Sequence, residues 1–174
     1  MNDLRPMTDQ KLIDQLETGA ALLLDGPWHL RQEALASRAW TVAPTEKGRH
    51  VEPEEAERIA AAIRQETSAP CYALATEPAG GQPRCYEVPA SEEGLLGFSH
   101  ECAGLNVILV PSDFAFAVLF TSEDYNVYAG TKRFVEAALG VSLPVARAAF
   151  QQFADDPWWE GRMLEVHKRY ESFG

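Results

Sequence analysis

CYALATEPAGGQPRCYEVP, residues 71–89, marks where this chain turns from helix to sheet. CYALATEP and RCYEVP are short, Tyr- and Val-bearing runs on either side of a loop containing AGGQ, the pattern of a β-hairpin with a glycine-containing connection. Pro70 marks the point where the chain changes character from helical to extended.

Outward from the hairpin, the apolar runs GLLGFS (94–99), NVILVP (106–111), FAFAVLF (114–120) and YNVYAG (125–130) follow in quick succession, with TSED as a polar turn before the last. Read as strands, they give a sheet of about five or six strands, mostly antiparallel because the connections are too short for crossover helices. The stretches on either side carry helical spacing. Pro53 opens a helix with Ala56, Ile59, Ala60 and Ile63 on one face and acidic residues in its first turn, where the positive helix end favours them. Nearer the start, Thr8 is placed as a cap, Met7 to staple against Leu12, and Gly19 to end a helix bearing Leu12, Ile13 and Leu16. Leu22–Leu24 reads as a buried segment, stopped by the turn Asp25-Gly26-Pro27, and residues 30–39 as a further short helix.

After the sheet, three helices are expected: Thr131–Leu139 closed by Gly140, Leu143–Ala154, and Pro157 to about Tyr170. The second carries the stripe Leu143, Ala146, Phe150, Phe153; the third carries Trp159, Met163, Val166, Tyr170. The expected architecture is a single α+β domain over 1–174, mainly helical in 1–67, sheet in 68–129 and helical in 130–174. Its N-terminal and C-terminal helices pack on the sheet, gathered on one face.

Composition sets the class. The chain has 174 residues, 46% hydrophobic and 24% charged, which is ordinary for a soluble globular domain large enough for one well-buried core. Charges are scattered through the first residues, which argues against a signal peptide, and no apolar run approaches the roughly 18 residues of a membrane span. Three cysteines, Cys71, Cys85 and Cys102, form an odd set without close pairing, which fits reduced, packed thiols and a cytoplasmic location. A net charge of −11 disfavours nucleic acid and anionic membranes as direct partners and suits a basic protein, although acidity also serves solubility.

The densest group of reactive side chains is SHEC, Ser99–Cys102. On an extended backbone His100 and Cys102 share a face, where Cys85 or Cys71 from another strand would complete a zinc site, though no recognised ligand spacing is present. Cys102 is also a candidate nucleophile, with His29 or His50 as a partner approaching from elsewhere. Gly130 before Thr131 reads as a tight strand-to-helix turn, and the absence of any glycine-rich phosphate motif leaves no cofactor expected. The acidic residues Glu52, Glu54, Glu55 and Glu57 spread around a helix and read as a solvated face.

Two functions from different classes follow. The first is a non-catalytic cytosolic interaction module with an acidic surface, an inhibitor, immunity protein or dedicated chaperone, whose binding residues are Trp158 and Arg162. Asp156 caps and Pro157 opens the last helix, so Trp158 and Trp159 are adjacent in its first turn, and successive residues 100° apart cannot both face the core. Trp159 belongs to the core stripe, leaving Trp158 beside Arg162 as an anchor pair of the type that dominates binding energy. The second is a small enzyme or ligand- or metal-binding domain using Cys102 and His100. Self-association through an exposed sheet edge, giving a homo-oligomer, is a third reading.

Overall fold

The computed structural model describes residues 4–47, 50–77, 80–81 and 83–174. Among these the strands are β1 Arg5–Pro6, β2 Thr41–Glu46, β3 Cys71–Ala75, β4 Cys85–Val88, β5 Val107–Pro111, β6 Ala117–Phe120 and β7 Tyr125–Gly130. The helices are α1 Gln10–Leu23, α2 Gln32–Ser37, α3 Pro53–Glu66, α4 Glu92–Glu101, α5 Lys132–Leu139, α6 Leu143–Ala154 and α7 Arg162–Tyr170, with a 3₁₀ turn at Pro157–Trp159. No helix among the described residues is long and apolar enough to cross a membrane.

The strands form one antiparallel sheet of seven in the order β1-β4-β3-β5-β6-β7-β2. The hairpin at 71–89 is its β3–β4 pair, with Cys71 opposite Val88 and Leu74 opposite Cys85. The fold is α+β, as expected from the helical, extended, helical order of segments, with two more strands than the five correctly placed in the sequence. β1 has only two residues, and β2 carries Pro44, which a central strand would not tolerate; β2 is indeed an edge strand.

Helices cover both faces of the sheet, not one. Alternate residues of each strand enter two separate cores: Cys71, Ala73, Leu109, Val118 and Tyr128 pack with α3, α4 and α5, whereas Tyr72, Leu74, Ile108, Leu119 and Val127 pack with α1, α2 and α7. α6 contributes to both, Leu143 to the first and Phe150 with Ala154 to the second. This explains why β5, β6 and β7 are buried at every position: a strand covered on both sides reads as a continuous apolar run. Both sheet edges also discourage strand addition. β1 is short and contains Pro6, and at β2 the Val42 N–H donates to the Phe173 carbonyl while Arg147 donates to the Val42 carbonyl.

Three local corrections follow. GLLGFS is not a strand; it lies in α4, where the Ser91 hydroxyl accepts from Gly94 N at 3.1 Å and Glu92 and Glu93 favour the helix start. α1 is capped by Asp9, not Thr8, and runs through Gly19, where the Phe114 ring lies so close that a Cβ would overlap it. The last helix is interrupted: Glu160 and Gly161 both take left-handed conformations, with φ of 49° and 84°, and separate the 3₁₀ turn from α7.

Candidate functional site

The SHEC cluster does not assemble. Because the segment is the end of α4, His100 and Cys102 are about 200° apart around the helix axis, so Cys102 turns into the core while His100 faces solvent. Cys85 belongs to the core layer on the opposite side of the sheet from Cys71 and Cys102. Among the described residues no group of three or more His, Cys, Asp or Glu side chains is placed to hold a metal. All three thiols are free and buried, and burial, reinforced by Asp113, Glu17 and Glu101 respectively, pushes each up to about 12. A thiol so protonated is a packing group, because the thiolate is the nucleophile.

The tryptophan pair is divided between core and solvent. Trp159 is half-buried against Phe153, with ring centroids 4.9 Å apart, and Trp158 is 78% exposed. Trp158 is held all the same: its backbone N–H donates to Asp156 Oδ1 at 2.9 Å, fixing the turn that presents it. Arg162 does not pair with Trp158. Its guanidinium lies over the Trp159 ring at 5.9 Å and meets Glu123 at 3.5 Å.

Arg162 also lines a surface groove of about 430 Å³ together with Trp28, His29, Glu123, Tyr125, Glu165 and Arg169. Trp28 is 41% exposed, and the Tyr125 hydroxyl beneath it donates to the Trp28 carbonyl at 2.9 Å and lies 3.4 Å from His29 Nδ1. Arg169 contacts Asp25, and its hydrogen bond and charge hold the Asp25 carboxyl below its usual range. Burial, helped by the Arg169 charge, keeps His29 below the usual imidazole value, so at neutral pH it is uncharged.

A second concavity, about 40 Å³, lies at one end of the first core layer. Lys47 and His50 enter it from the β2–α3 connection, Glu55 from α3, Ser99 and Cys102 from the end of α4, and Asn126 from β7. Lys47 Nζ donates to the Thr121 carbonyl, and burial lowers its pKa against the opposing pull of Asp124. Ser99 Oγ accepts from Val51 N at 3.0 Å. Asn126 is 4% exposed, and its Oδ1 has no hydrogen-bond partner among the described residues. Lys47 and Asn126 were not legible as site residues. The available signal was a lone amide inside the apolar strand YNVYAG, since a buried polar group requires a partner.

No protein-family model, curated protein or solved structure matches this chain.

Proposed function

We propose that the chain is a non-catalytic, cytosolic protein-binding module, of the kind that inhibits, neutralises or chaperones a basic protein partner. The observation carrying this reading is Trp158, a large ring 78% exposed on a capped, fixed turn. Exposing an indole forfeits the burial that its area would otherwise gain, and tryptophan is among the side chains most enriched as binding anchors. The groove with Trp28, Tyr125 and Arg162 supplies further aromatic and charged side chains at the surface. The net charge of −11 favours encounter with a basic partner and opposes nucleic acid.

The test is capture from lysate of the protein's own source by the tagged full chain, at low and high salt, with wild type and Trp158→Ala side by side. The reading expects a stoichiometric basic protein held at low salt, released at high salt, and weakened at least about 30-fold by Trp158→Ala, as a loss of about 2 kcal/mol implies. A partner retained equally by the variant removes Trp158 from the site, and retention of nothing at either salt removes the reading.

A further inference from the structure

The polar concavity at Lys47 and Asn126 is separate from the tryptophan surface and raises its own question: why do a cation, a carboxylate, a hydroxyl and an amide converge where the core could have been closed with apolar side chains? Its walls are apolar, with Phe98 and Phe120 in edge contact at 5.0 Å. Apolar walls with a few convergent polar groups and a displaced pKa are the usual anatomy of a ligand pocket.

Apart from His50, whose ring nitrogens serve as donor or acceptor, the polar groups fall into two kinds. Lys47 has three N–H donors and commits one to the Thr121 carbonyl, leaving positive charge and donors beside the pocket. Ser99 Oγ accepts from Val51 N, and among the described residues its own hydrogen has no acceptor. On the acceptor side, Asn126 Oδ1 is buried without a donor among the described residues, and the Glu55 carboxylate, near enough to Tyr128 to help raise the pKa of its buried hydroxyl, carries negative charge. A simple anion suits Lys47 but meets Glu55 and the Asn126 oxygen; a simple cation suits those two but meets Lys47.

We infer that the pocket binds a small zwitterion bearing an ammonium and a carboxylate a few atoms apart, with the carboxylate toward Lys47 and Ser99 and the ammonium toward Asn126 Oδ1 and Glu55. The volume of about 40 Å³, where one water needs roughly 10–15 Å³, restricts it to the smallest members of the class, of glycine size. This site stands independently of the protein-binding surface.

The experiment is a titration of the isotope-labelled full chain with glycine, acetate and methylammonium in turn. It is followed by NMR at the Asn126 side-chain amide and the Val51 backbone amide, with the Trp28 and Trp158 indoles as remote controls. Glycine is expected to shift both pocket signals saturably, at a Kd at least tenfold below that of either half-molecule, and to leave the indoles unmoved. Lys47→Met, which keeps the length of the stem, is expected to weaken glycine at least tenfold. No saturable shift in wild type, glycine no tighter than acetate or methylammonium, or equal glycine binding by Lys47→Met would overturn the assignment.

Discussion

The Phe153 and Trp159 rings meet at 4.9 Å across the junction between α6 and the 3₁₀ turn, holding that turn against the end of α6. The neighbouring Trp158 makes no comparable contribution, since it is 78% exposed. Trp159→Ala is therefore expected to destabilise the fold by about 2 kcal/mol, less than a fully buried Trp because the ring is half-buried. Trp158→Ala should stay within about 0.5 kcal/mol of wild type. Urea unfolding of the two variants checks the contrast; equal losses would mean that both rings are packed.

Gly94 and Pro89 give a prediction that opposes helix propensity. In most helices Gly→Ala stabilises by roughly 1 kcal/mol, but a Cβ on Gly94 would lie 2.3 Å from the Pro89 carbonyl oxygen. Backbone cannot swing aside as a side-chain tip can, so overpacking wins, and Gly94→Ala should cost about 1–3 kcal/mol. A urea midpoint raised by the substitution would refute the close approach.

The Tyr170 hydroxyl accepts from Leu30 N at 2.9 Å, joining the last helix to the loop before α2 in a fully buried setting. Tyr170→Phe preserves the ring and strands the Leu30 N–H. The expected cost is about 1–3 kcal/mol, the penalty of an unsatisfied buried donor, and amide exchange at Leu30 should accelerate. Unchanged protection of Leu30 would show that another acceptor replaces the hydroxyl.

His29 predicts a pH dependence of known sign. Its folded pKa lies below the ordinary 6.5 because burial and Arg169 disfavour the charged ring, with Asp25 opposing. Above pH 6.5 both folded and unfolded forms are neutral and the stability is intact; as pH falls through 6.5 and then the folded pKa, protons bind preferentially to the unfolded chain. Wild type should therefore lose more stability than His29→Gln between about pH 7.5 and 5.5, as read by urea unfolding. Parallel profiles would show that other groups govern that window.

The thiols predict chemical inertness. With each pushed up to about 12, the native thiolate fraction at pH 8 is about one part in ten thousand, and all three side chains are buried. An aromatic disulfide reagent should react with three thiols in denaturant and, in the folded protein, only at the rate of unfolding. A single fast thiol in the native state would revive Cys102 or its companions as reactive groups.

Elements whose signals are local are legible in the chain before it folds. The hairpin at 71–89, the α3 face of Ala56, Ile59, Ala60 and Ile63, the Thr131 cap and Gly140 stop of α5, and the bounds of α6 all follow from periodicity and capping, and the structure contains each. Local signals failed where two readings of a short apolar run compete: GLLGFS suits a strand or a buried helix, and Ser91 capping selects the helix. β2 was invisible because Pro44 lowers its strand character and its pairing partner, β7, lies about 80 residues away. Packing between distant segments sets the rest: helices cover both sheet faces, Cys85 and Cys102 lie in opposite core layers, and Lys47, Ser99 and Asn126 converge on one pocket. The physical reason is that caps and periodicity act within one or two turns of chain, whereas which face a helix covers and which side chains meet depend on burying area between segments far apart in sequence.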